Sequence, residues 1–167
     1  MKKPFTAAST SRRRADAADR VSGKVTIRKL PTGVRGLDDI LGGGLPEFSF
    51  NIIAGTPGCG KTTFAHQLVF ANATRKRPAL YFTVLGEPAI KMLRYQQQYS
   101  FFDAAKLNDS IRFINLSETL VEQDLEAVLA EITKQVEAIG PGVVVVDSFR
   151  TVLRKTSATG GNEMELQ

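Results

Sequence analysis

Between an apolar segment, Phe48-Ser-Phe-Asn-Ile-Ile-Ala54, and a helix-periodic one that begins at Lys61, the chain carries Gly55-Thr-Pro-Gly-Cys-Gly-Lys-Thr62. This satisfies G-x-x-x-x-G-K-[ST], and no other feature constrains the fold as much. Glycines at these spacings let the backbone curl with its N–H groups pointing inward and no Cβ atoms in the way. A helix starting directly after the loop adds the positive end of its dipole, so a polyphosphate meets aligned donors and a favourable field together. Lys61 supplies a mobile charge for the β- and γ-phosphates, and Thr62 a hydroxyl for magnesium. The candidate nucleoside-triphosphate-binding set is Gly55, Thr56, Pro57, Gly58, Cys59, Gly60, Lys61, Thr62 and Thr63.

The segments around the loop alternate between strand and helix patterns. Val25–Leu30 alternates like a short strand and runs into a turn at Pro31-Thr-Gly33; Gly36–Leu41 suits one or two helical turns, stopped by Gly42-Gly-Gly-Leu-Pro46. Phe48–Ala54 is the expected strand leading into the loop. A helix is expected over Lys61–Thr74, with Phe64, Ala65, Leu68 and Val69 on one stripe beside Asn72. Ala79–Leu85 is a nearly continuous apolar run, of the kind found in strands buried on both faces of a parallel sheet. Pro88–Gln98 reads as helix, Ile111–Ile114 as strand, and Thr119–Ala138 as helix, with Thr119 and Glu122 spaced as a capping box and Ser117 competing for the N-cap. Val143–Val146 is a further buried strand, closed by Asp147. This alternation predicts an α/β domain with a mostly parallel sheet flanked by helices.

The net charge of +5 suggests a nucleic-acid partner until it is located: residues 1–24 hold seven basic and two acidic residues, which account for the whole excess. Residues 1–24 are expected to be a disordered basic tail, with 25–167 the domain. The tail has two readings, a solvated leader or an arm that touches nucleic acid, an acidic partner or a membrane surface. A single cysteine, Cys59, excludes an internal disulfide and fits a reducing, cytoplasmic location. No apolar run approaches the roughly 18 residues of a membrane span. Cys59 either has its thiol activated by the helix N-terminus and Lys61 or fills a variable position of the loop. His66, the single histidine, reads as a helix-face residue rather than a metal ligand.

Val143-Val-Val-Val-Asp147 has the form of a Walker B strand, with an aspartate at the end that faces the ligand in parallel sheets. Asp147, with Thr62, is the candidate magnesium pair; the alternative is a strand-terminal aspartate that caps the next helix.

With the loop and Val-Asp147-Ser148, the lead-in Pro31-Thr-Gly-Val-Arg-Gly-Leu-Asp-Asp-Ile-Leu-Gly-Gly-Gly-Leu-Pro46 resembles the KaiC branch of the RecA-type ATPases over roughly residues 28–155. The resemblance implies a RecA-like P-loop NTPase core, ATP with Mg2+, and homo-oligomeric, hexameric rings with nucleotide between subunits. Two-domain members act as circadian-clock autokinases, so a serine/threonine kinase activity is among the implications. Members of this family carry two consecutive glutamates after the second core strand, where they activate water. This chain has Leu85-Gly86 there and Glu87 one position later. Glu87 is therefore either the general base or a carboxylate at a helix N-terminus beside Pro88. The family's core continues with further strands after Walker B, so the chain is expected to be a truncated piece lacking its C-terminal strands. Three functions follow: an ATP-hydrolysing KaiC-like domain with Lys61 and Glu87 as catalytic residues, a non-hydrolysing nucleotide-dependent interaction module, or a RecA-like DNA-binding ATPase. A small GTPase is disfavoured, because the chain has no N-K-x-D motif and no glycine three residues after Asp147.

Overall fold

A computed structural model describes residues 25–83, 89–116 and 125–148. Expectations for residues 1–24, for Glu87, for the Thr119–Glu122 capping pair and for the chain beyond Ser148 lie outside these. In chain order the elements are β1 (Lys29–Leu30), α1 (Leu37–Ile40), β2 (Leu45–Pro46), α2 (Lys61–Asn72), β3 (Ala79–Thr83), α3 (Ala89–Gln96), a 3-10 turn at Ala104–Lys106, β4 (Ile111–Asn115), α4 (Leu125–Ile139) and β5 (Val143–Asp147).

The core is built on β3, all five residues of which are buried. It pairs in parallel with β4 on one side and β5 on the other, giving the order β4-β3-β5. The period-2 alternation of a strand divides the core in two. Ala79 and Tyr81 face Ala65, Val69, Phe70 and Ala73 of the α2 region, joined by Met92 of α3. Leu80 and Phe82 face Leu116 and Val128, joined by Ile132, Val136 and Ile139 of α4. Helices therefore cover both faces, which is why β3 reads as an unbroken apolar run. Burying each large apolar side chain of this kind contributes about 1.5–3 kcal/mol. Helix α4 stops at Gly140, whose φ of 61° turns the chain out of the helix, while its N–H still donates to Val136 O at 2.9 Å.

The glycine-rich lead-in is a strap over α2. Thr32 is fully buried; its N–H donates to Asp38 Oδ1 at 2.8 Å, and Val34 N–H donates to Thr32 Oγ1 at 3.1 Å. From α2, Gln67 donates to Gly33 O and Asn72 Nδ2 donates to Pro31 O at 2.7 Å. Gly44, at φ 112°, brings its Cα so close to β1 that a Cβ would stand 2.1 Å from Leu30 O. Only glycine permits the antiparallel β1–β2 contact there, which pairs Leu30 with Leu45. Arg77 and Glu47 add an ion pair across the same region.

The structure changes the expectations for α2 and for two expected strands. Phe70 and His66 are buried along with Ala65, Leu68 and Val69, so the helix has no single apolar stripe. The apolar Phe48–Ala54 segment forms no strand: Phe48, Phe50 and Ile52 are 99, 89 and 79% exposed. A strand exists only where its N–H and C=O groups meet a neighbour, and this segment pairs with none of the described strands. Likewise only Lys29–Leu30 of the expected Val25–Leu30 strand pairs, and β5, which among the described strands pairs with β3 alone, leaves Val144 40% exposed.

Candidate phosphate-loop site

The parallel register sets the place of the site. Thr83 lies opposite Asn115 on one side and opposite Asp147 on the other, so three polar residues line the C-terminal end of the sheet. Helix α2 begins beside this edge. Its N-cap, Gly60, has φ 89° and ψ 14°, a left-handed conformation that a side chain would strain. No side chain caps the first turn. The N–H groups of Lys61, Thr62 and Thr63 are therefore left to solvent or to an anion. Loop residues 55–60 are exposed throughout.

Two side chains 85 residues apart in sequence meet here: Thr62 Oγ1 donates to Asp147 Oδ2 at 2.7 Å. Tyr81 OH donates to the same oxygen at 2.8 Å. A threonine hydroxyl that gives its one proton to a carboxylate turns its lone pairs elsewhere, which suits it to a cation. Among the described residues no group of three or more His, Cys, Asp and Glu is close enough to hold a metal alone. A cation at Thr62 and Asp147 would thus take its remaining ligands from water and phosphate oxygens, the habit of magnesium rather than of zinc or calcium. Lys61 Nζ donates to Gly55 O at 3.1 Å and to Thr56 O at 2.9 Å, folded back on its own loop. It lies 3.8 Å from Cys59 Sγ, and Cys59 is exposed.

Beneath the site, His66 packs tilted against Tyr81 at 4.6 Å and meets Phe113 edge-on at 5.7 Å. His66 lies on the face of α2 turned to the sheet: the side chain is wholly buried, and neither ring nitrogen has a hydrogen-bond partner. Burial holds the imidazole below its ordinary pKa; the nearby Gln96 amide and the Asp147 carboxylate push the other way. Gln96 Oε1 is unpartnered too, so the two groups stand close without closing a hydrogen bond. Burial, reinforced by the Asp147 charge and the hydrogen bond, drives the Tyr81 phenol far above its ordinary pKa and keeps it a donor.

The structure thus gathers the loop, Lys61, Thr62 and Asp147 in one place. Glu87 is outside the described residues, although Thr83, which precedes its segment, lies beside Asp147. Tyr81 is the residue that sequence reasoning passed over. Its one signal was a hydroxyl within an otherwise apolar buried strand, on the same sheet face as Asp147 two register positions away.

The DNA repair protein RadA of Mycobacterium tuberculosis is 32% identical over 136 residues, covering 80% of this chain and 25% of that protein. The circadian clock oscillator protein KaiC of Prochlorococcus marinus is 25% identical over 143 residues, covering 81% of this chain and 28% of that protein. A UPF0273 protein of Thermotoga maritima is 37% identical over 62 residues, covering 37% of this chain and 26% of that protein. The chain spans about a quarter of the length of these curated relatives. No described helix is long and apolar enough to cross a membrane. The family model for the KaiC ATPase matches residues 30–166, and the strap, loop and Asp147 all fall within that match. The α/β chain with its parallel sheet belongs to the KaiC family of ATPases.

Proposed function

We propose that this chain binds ATP with Mg2+ at Gly55–Thr62 and hydrolyses it. The observation that carries the reading is the 2.7 Å hydrogen bond from Thr62 to Asp147, which joins the phosphate loop to an acidic strand end. In this reading the exposed loop and the uncapped N–H groups of Lys61, Thr62 and Thr63 cradle the phosphates. Lys61 leaves the carbonyls of Gly55 and Thr56 for phosphate oxygens, and Thr62 and Asp147 hold the ion. When bound, magnesium neutralises charge on the β- and γ-phosphate oxygens. Glu87 is the proposed general base, taking a proton from the attacking water; its support is its place four residues after Thr83 in the sequence.

Multiple-turnover phosphate release tests the hydrolytic part. Glu87→Gln is expected to abolish turnover while leaving ATP affinity intact; unchanged turnover removes Glu87 from the role. The departure at Leu85-Gly86 favours the second reading, a nucleotide-dependent module that binds without hydrolysis. It is supported if the wild-type chain binds ATP and releases no phosphate. The basic tail, together with relatives whose name is DNA repair protein, motivates a DNA-dependent variant of the same activity. That variant requires a salt-dependent DNA affinity whose slope collapses when residues 1–24 are deleted. Ring assembly and autophosphorylation rest on the family resemblance alone; sedimentation with ATP and transfer of γ-labelled phosphate to the chain test them.

A further inference from the structure

Asp147 Oδ2 accepts two hydroxyl protons, and the two donors differ in their freedom to move. Thr62 belongs to the first turn of α2, directly after an exposed loop. Tyr81 is in the middle of the central strand and is wholly buried. Its ring is held by His66 at 4.6 Å on the helix side and by Phe113 of the next strand at 5.2 Å. Two donors on Oδ2 also fix the carboxylate's rotation, leaving Oδ1 claimed by neither hydroxyl.

We propose that Tyr81 is a positioning residue for Asp147, holding the carboxylate at one rotation so that Thr62 and Oδ1 face the metal in fixed geometry. This rests on the reading of the site as a magnesium–nucleotide site. Tyr81 touches neither nucleotide nor metal and acts only through Asp147. The buried His66 ring, packed against Tyr81, serves as the wall that keeps the phenol aimed. Hydrogen bonds of this kind, one step behind a metal ligand, orient the ligand, and losing one typically weakens metal affinity about 10- to 100-fold.

Tyr81→Phe keeps the ring and deletes the hydroxyl. The measurement is ADP affinity by calorimetry in EDTA and in saturating Mg2+, with the thermal midpoint recorded alongside. For the wild-type chain Mg2+ should tighten ADP; if it does not, the magnesium-site reading fails and the proposal falls with it. Given a wild-type effect, Tyr81→Phe should reduce the Mg2+ enhancement about tenfold and leave the EDTA affinity unchanged. An unchanged enhancement, or an equal loss in EDTA and in Mg2+, overturns the positioning role. In an Asp147→Asn background the Tyr81→Phe change should have no further effect on the enhancement; an undiminished effect overturns action through Asp147. A separate check needs no variant. The Tyr81 hydroxyl proton should exchange slowly by NMR and persist after Mg2+ and ADP are added. Exchange at the solvent rate in the bound state contradicts the proposal.

Discussion

Replacing Lys61 with alanine probes the division of labour in the loop. The ammonium donates to two loop carbonyls, at 3.1 and 2.9 Å, and both belong to exposed residues. Water can take those acceptors when the side chain leaves, so releasing Lys61 costs little, and the bond it gains to phosphate appears as affinity. A net hydrogen bond between charged groups contributes about 1.5–3 kcal/mol. At about 1.4 kcal/mol per tenfold, Lys61→Ala should weaken ATP binding roughly 10- to 100-fold. Stability should not follow, because residues 55–60 are exposed and Lys61 reaches neither core cluster. Calorimetric titration with ATP and with adenosine separates the effects. The expected pattern is a large loss for ATP, none for adenosine, and an unchanged thermal midpoint. Undiminished ATP affinity, or a parallel loss for adenosine, refutes the assignment of Lys61 to the phosphates.

Two further outcomes concern the core that supports the site. His66 has its folded pKa lowered by burial, so on acidification the unfolded chain takes up the proton first. Its contribution is full above the unfolded value of about 6.5, falls as pH drops through that value, and levels off below the folded pKa. Urea unfolding between about pH 7.5 and 5.5 should show this decline, and His66→Phe should flatten it. A slope unchanged in the variant assigns the decline to other groups. Phe82 is wholly buried against Leu80, Leu116 and Val128. Phe82→Ala should cost about 3–5 kcal/mol of a total near 5–15, read as a lower urea midpoint at constant slope.

What the sequence reveals depends on how local each cause is. The loop, the start of α2 at Lys61, and the close of β5 at Asp147 follow from glycine conformation, helix periodicity and an apolar run ended by a charge. All were readable without coordinates. The Phe48–Ala54 strand was not, because strand formation needs a neighbour, and a residue pattern states readiness to pair without naming a partner. His66 and Phe70 escaped notice for a related reason. His66 is buried against Tyr81 and Phe113 of the sheet and Phe70 against Phe101 and Phe102, contacts that only the folded chain brings together. The Tyr81–Asp147 contact needs both the register of β3 with β5 and the length of a tyrosine, and only the structure joins the two. Glu87 is assigned by its position in the sequence and its carboxylate chemistry.

ATP affinity with and without Mg2+ measures whether the phosphate loop and Asp147 together form a magnesium–nucleotide site. Calorimetry on the unmodified chain should give a dissociation constant of about micromolar order in Mg2+. It should weaken on chelation, and Asp147→Asn should remove most of that difference. Equal affinity for ATP and adenosine, or an ATP affinity indifferent to both Mg2+ and Asp147, would contradict the account.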